Sequence, residues 1–170
     1  MARTSRKNQP IIVPEEKPAA GEGVYRTGIY LRLSVEDNGK EDGNSMENQQ
    51  SFLMEYVSSR SYLELTDIYM DNGFTGTDFE RPEFNRMLED AKKGRINCIL
   101  VKDLSRLGRN YVEAGAYLEK VFPFLHVRFI AVNDNYDSEM LTSGEQLGAS
   151  LKNIINDMYA KDISRKVGSA

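Results

Sequence analysis

From Thr27 onward, segments that alternate apolar and polar residues take turns with segments whose apolar residues recur every three or four positions. That order constrains the chain more than any single residue. A strand–helix–strand succession buries its apolar faces best as a sheet covered by helices. The strand-like runs are Ile29 to Leu33, Leu63 to Tyr69, Cys98 to Val101 and Val127 to Val132. The expected fold class is α/β, a mostly parallel central sheet of four to five strands flanked by helices and followed by a long C-terminal helix for oligomerisation. At 170 residues the chain suits one hydrophobic core.

Local signals bound the helices. Ser45 is placed to cap a helix running to about Arg60. Pro82 fits the first turn of another that carries Phe84, Met87, Leu88 and Ala91 and stops at Lys92-Lys93-Gly94. Asn110 with Glu113 predicts a cap for a third helix ending near Pro123. Thr142-Ser143-Gly144-Glu145 has capping-box spacing, and Leu147, Leu151, Ile154 and Met158 follow as a narrow apolar seam. The expected division is a flexible tail over 1–23, a core over 24–140 and the long helix over 141–167. The tail holds Arg3, Arg6, Lys7 and three prolines.

Composition narrows the context. One cysteine, Cys98, forms no internal disulfide, and neither a leader pattern nor a transmembrane run is visible, so a cytoplasmic protein without membrane contacts is expected. The formal net charge of −4 weighs against a free-standing nucleic-acid binder. Cys and His occur once each and no acidic cluster resembles a calcium loop, so no metal centre is expected.

The stretch Tyr30-Leu31-Arg32-Leu33-Ser34 carries the first chemical signal. Period two puts Ile29, Leu31 and Leu33 on one face and Tyr30, Arg32 and Ser34 on the other. A buried arginine needs a partner or an anion. Arg32 therefore belongs either to an edge strand, reaching solvent or an Asp, or to an anion site. Ser34 falls at the carboxyl end of its strand, where open α/β sheets place their sites, and is a candidate nucleophile. A second cluster, Lys102 to Asn110, follows the third strand. Arg106 and Arg109 stand three apart, able to converge on a phosphate from one helical turn. The same spacing also fits a solvated helix start with Asp103 neutralising one arginine. A third stretch, Asp71 to Pro82, suits an ordinary connector or a mobile loop, with two glycines and Arg81 before Pro82.

Taken in order, Tyr30-Leu31-Arg32-Leu33-Ser34, Glu47-Asn48-Gln49, Asp71 with Gly73, Phe74, Gly76 and Arg81, and Ser105-Arg106-Leu107-Gly108-Arg109 resemble the catalytic domain of serine site-specific recombinases. The resemblance covers residues 27 to about 166, and the DNGFTGTDFERP loop is most similar to the large integrase and transposase branch. It implies that Ser34 attacks a DNA phosphodiester to give a 5′-phosphoserine link and a 3′-hydroxyl, with Arg32, Arg81, Arg106 and Arg109 holding the phosphate. Tyr30, Gln49 and Asp71 match positions that support or organise such a site. It further implies no ATP or metal cofactor, double-stranded DNA attachment sites as partner, a homodimer assembling to a tetramer in the synaptic complex, and DNA-binding domains in addition to these residues. Where many relatives carry Asp immediately before the equivalent of Arg106, this chain has Ser105, with Asp103 two residues earlier. Arg165 and Lys166 both fit the family's additional basic position on the long helix. The alternative function is a catalytically silent, DNA-associated oligomerisation module with the same fold.

Overall fold

The computed structural model describes residues 23–33, 45–72, 81–107 and 111–140, together with residues 156, 159, 160, 163, 164, 167 and 168. Residues 1–22 of the expected tail, Ser34, Gly73 to Glu80 and Gly108 to Asn110 lie outside these, as do Leu147, Leu151, Ile154, Met158, Arg165 and Lys166. Within the expected long helix over 141–167, the six described positions are helical.

Five strands form one sheet in the order β2-β1-β3-β4-β5, with β1 at Tyr25–Leu33, β2 at Leu63–Asn72, β3 at Cys98–Val101, β4 at Arg128–Ala131 and β5 at Tyr136–Asp137. The first four are parallel and β5 is antiparallel to β4. The expected α/β class is therefore observed. The edge-strand reading of Arg32 is not, because β1 is hydrogen-bonded on both sides, to β2 and β3. β5 has no counterpart among the strand-like runs of the sequence: two residues are too few to show a period.

Helices cover both faces. α1 (Met46–Ser58) starts where Asn48 N–H donates to Ser45 Oγ at 3.1 Å, and it buries Leu53 and Val57 against Ile29, Leu31, Leu63, Cys98, Leu100 and Ile130. α2 (Pro82–Lys92) covers the opposite face and is followed by Gly94 at φ +69°, a backbone angle that glycine adopts without strain. The expected third helix is three pieces: α3 (Tyr111–Ala116), a π-helical turn over Tyr117–Val121 and α4 (Phe122–Phe124). Side chains of α2, α3, the π turn and α4 share one core with Tyr30, Tyr69, Ile99, Val101 and Phe129. Tyr30, Phe84, Tyr117, Phe122, Phe129 and Tyr136 run through it as successive ring contacts with centroids 5.0–6.2 Å apart.

The period-two assignment of β1 holds, since Tyr30 and Ile29 belong to the two different cores. Gly28 explains how β1 lies so close to its neighbours. The β1–β2 register shifts between Thr27 and Gly28, and a Cβ at Gly28 would stand 2.8 Å from the Tyr69 ring and 2.9 Å from Ile96 Cδ1.

Candidate active site

In a parallel sheet the carboxyl ends of the strands share one edge, and here those of β1, β2 and β3 deliver Tyr30 and Arg32, Asp71, and the turn from Lys102 to Leu107. Asp71 is buried. Its Oδ1 accepts the Glu83 N–H at 3.1 Å, and its Oδ2 accepts both the Phe84 N–H at 2.9 Å and the Tyr30 hydroxyl at 3.0 Å. The cause lies in α2. Its N-cap, Arg81, offers no side-chain cap, and Pro82 has no N–H, so the next two amides take an acceptor from the neighbouring strand. The positive helix end and the carboxylate favour each other.

Burial holds the Tyr30 phenol well above its ordinary value of 10.0; the Asp71 charge pushes the same way, while Arg81 and Arg32 oppose it. Tyr30 is thus a protonated donor at neutral pH.

Arg81 lies across the Phe84 ring, its Cζ 4.0 Å from the centroid, donating from Nη1 to Leu107 O at 2.6 Å and from Nη2 to Glu113 Oε1 at 2.8 Å. Arg32 donates from Nη2 to Ser105 O at 2.6 Å, and Arg106 donates from Nη1 to Arg32 O at 2.6 Å. Each of these last two arginines therefore holds the other's strand end or turn. Three guanidinium groups converge on the backbone of residues 105–107 or arise from it.

That backbone is a 3-10 turn over Leu104–Arg106. Its first amide, Leu104 N–H, donates to Asp134 Oδ2 at 2.6 Å, and Asn133 N–H reaches Lys102 O at 2.8 Å, so the β4–β5 connection anchors it. Asp103 accepts from Ser105 Oγ and stands 3.5 Å from Arg106 Nε. The expected pairing of Asp103 with one arginine falls on Arg106, but the solvated helix start is not observed: Arg106 is 5% exposed.

Gln49 is fully buried in the first turn of α1, at the same end of the sheet but on its opposite face. Ser34 follows directly on Leu33 in the chain, and Arg109 follows two residues after Leu107; both lie outside the described residues. Two residues in contact with this cluster escaped the sequence reading. Glu113 had been assigned only to a helix cap, and Asp134 carried no signal at all, because an aspartate between two strands is ordinary turn chemistry. Among the described residues no group of three or more His, Cys, Asp and Glu could hold a metal ion, and no helix is long and apolar enough to cross a membrane.

The family model "Resolvase, N terminal domain" matches residues 27–170. The chain belongs to the resolvase family. Two solved structures share its fold at 25% identity: the N-terminal catalytic domain of TP901-1 integrase, with a TM-score of 0.60 over 84% of this chain and 98% of that one, and a resolvase family site-specific recombinase from Streptococcus pneumoniae, with a TM-score of 0.61 over 85% and 94%. A Bacillus subtilis (strain 168) protein named "Putative DNA recombinase" is 36% identical over 81 residues, a match spanning 48% of this chain and 15% of that protein. Within this resolvase fold, the described residues Tyr30, Arg32, Asp71, Arg81 and Arg106 lie together at the carboxyl ends of β1, β2 and β3.

Proposed function

We propose that the chain performs site-specific DNA recombination, cleaving and rejoining strands through a covalent phosphoserine at Ser34. One observation carries the reading: Arg32, Arg81 and Arg106 meet around residues 105–107, at the strand end that Ser34 directly follows. In the proposed step, Ser34 Oγ loses its proton and bonds to phosphorus, the bond from phosphorus to the 3′ oxygen breaks, and that oxygen leaves as a hydroxyl with one proton. The product is a 5′-phosphoserine ester and a free 3′-hydroxyl. Attack by a new 3′-hydroxyl reverses the exchange on another strand, so the bond energy is retained and neither ATP nor a metal enters the balance. Arg32, Arg81, Arg106 and Arg109 stabilise the charge that builds on the non-bridging oxygens.

Tyr30 and Asp71 take a supporting role in this reading. The Tyr30 hydroxyl donates to Asp71 and is held in its protonated form, which favours a serine over a tyrosine nucleophile. Gln49 is assigned to organising the start of α1 behind β1. Residues 141–167 are assigned to contacts between copies, forming dimers that pair into a tetramer on two attachment sites, with further DNA-binding domains supplying most sequence recognition.

The test is a covalent trap. The protein is incubated with a pool of duplexes, the adduct is digested, and the modified peptide is read by mass spectrometry. A nucleotide on Ser34, lost in Ser34→Ala, supports the reading; an adduct on Tyr30, or one that persists in Ser34→Ala, overturns it.

A further inference from the structure

We infer that Glu113 is a positioning residue for Arg81, fixing the guanidinium in the orientation in which it meets the scissile phosphate. The inference rests on the reading of Arg81 given above. Arg81 stands at the N-cap of α2, directly before Pro82, and its long side chain would be free to sweep past the site were nothing to hold it. Three contacts hold it: the Phe84 face beneath, the Leu107 carbonyl on Nη1 and the Glu113 carboxylate on Nη2. The ring limits tilt. The carbonyl alone leaves the guanidinium able to turn about that single bond, and the carboxylate supplies the second point that fixes its plane. Glu113 is 32 residues away in sequence, on α3, so the fold as a whole sets the angle of Arg81. The Arg81 side chain is 11% exposed and that of Glu113 34%, a setting in which the pair is neither freely solvated nor sealed off.

Hydrogen bonding and charge make different demands on residue 113. Glu113→Gln keeps an oxygen acceptor at the same reach and removes the charge. Glu113→Asp keeps the charge and withdraws the acceptor by one methylene. A positioning role needs the reach; a purely electrostatic role needs the charge.

The experiment compares wild type, Glu113→Gln, Glu113→Asp, Glu113→Ala and Arg81→Ala. It follows the rate of covalent adduct formation at saturating duplex pool, the affinity for that pool, and the Arg81 Nε–H resonance by NMR. Glu113→Ala and Glu113→Asp are expected to slow adduct formation by about tenfold or more, the scale of a misaligned catalytic group, with affinity unchanged. Glu113→Gln is expected to restore the rate to within about threefold, and the Arg81 resonance to be sharp in wild type and Glu113→Gln but averaged in Glu113→Ala. Wild-type rates in Glu113→Ala, or rescue by Asp and not by Gln, overturn the inference. Slow reaction in Arg81→Ala with normal reaction in Glu113→Ala sinks the role of Glu113 alone, whereas a normal rate in Arg81→Ala removes Arg81 from the proposed reaction and the inference with it.

Discussion

Removing the Asp71 carboxylate gives the clearest test of how the site is built. Asp71→Ala takes the only described acceptor from three donors at once: the Glu83 and Phe84 amides and the Tyr30 hydroxyl. The two amides are a helix cap in all but sequence position, and losing such a cap costs about 0.5–2 kcal/mol. The Tyr30 hydroxyl belongs to a fully buried ring, and leaving a buried donor unsatisfied costs roughly 1–3 kcal/mol. The sum is a destabilisation of about 1.5–5 kcal/mol. Tyr30→Phe removes one donor and leaves the cap, so about 1–2 kcal/mol is expected. Asp71→Asn should fall between them, because its single carbonyl oxygen cannot serve both sides and its NH2 must face a donor. Urea unfolding followed by far-UV circular dichroism measures all three, the chain having no tryptophan to report by fluorescence. The reasoning fails if Asp71→Ala lies within about 1 kcal/mol of wild type, the range of an uninvolved substitution, or if Asn proves as stable as Asp.

Gly28→Ala should cost about 1–3 kcal/mol in the same assay, because its methyl would meet the Tyr69 ring at 2.8 Å and Ile96 at 2.9 Å inside a close-packed core; an unchanged midpoint would show that the strand shifts freely. Burial raises the phenols of Tyr30 and Tyr69 well above 10.0 and that of Tyr136 to about 12. A folded-state value above the unfolded one means that these groups favour the native state fully below pH 10 and lose that contribution as pH rises through their folded values, so denaturation midpoints should fall above pH 10 and not below it. Arg106→Ala should slow adduct formation by about a hundredfold, as for a lost preorganised donor, and combining it with Arg32→Ala should add less than the second single effect; strict additivity in rate would separate the two residues. The chain by itself should bind duplex DNA only at about 10⁻⁴ to 10⁻⁶ M at physiological salt, with little sequence preference, and nanomolar selective binding in fluorescence anisotropy would contradict that.

The sequence made the sheet legible because each long strand carries its own period. β1 needs two faces, and Ile29 and Tyr30 went to different cores as the alternation required. The starts of α1 and α2 were legible for a similar reason: Ser45 and Pro82 act within a turn of themselves. β5 was not, since its two residues are held by the Arg128 side chain, which donates to Asp137 at 3.0 and 2.6 Å, and by pairing with β4, neither of which is local. The site divides along the same line. The residues at positions 30, 32, 71, 81 and 106 were marked by motifs taken in order, and Asp103 was legible as a partner for a nearby arginine, but the distant partners were not. Asp71 caps a helix that begins eleven positions later, Glu113 reaches back 32 residues to Arg81, and Asp134 reaches back 30 to the Leu104 amide. Such contacts depend on strand order, and strand order is a property of the whole chain.

Arginines of this domain differ in how far main-chain carbonyls receive their hydrogen bonds. Arg128 is clamped between Asp137 and Glu139, at 2.6 and 3.4 Å, and flanked by the Tyr25 and Tyr62 rings; Arg86 is held by Glu83 and Asp67 at 2.7 and 2.6 Å. Carboxylates there cancel the charge they bind, and the pairs tie β4 to β5 and α2 to β2. Around residues 105–107, main-chain carbonyls of Ser105, Leu107 and Arg32 take the short bonds from Arg32, Arg81 and Arg106. Glu113 and Asp103 add carboxylates to Arg81 and Arg106, at 2.8 and 3.5 Å, but carbonyl bonding is what fixes each guanidinium here against the main chain. It also makes the holder and the held exchange places. Arg32 fixes the turn that carries Arg106, and Arg106 fixes the end of the strand that carries Arg32, one residue before Leu33 and two before Ser34 in the chain. Deleting either side chain therefore releases the backbone under the other. The loss measured for one arginine includes the displacement of its neighbour, so in a site clasped this way the two residues act as a unit and no single substitution reports the worth of one charge alone.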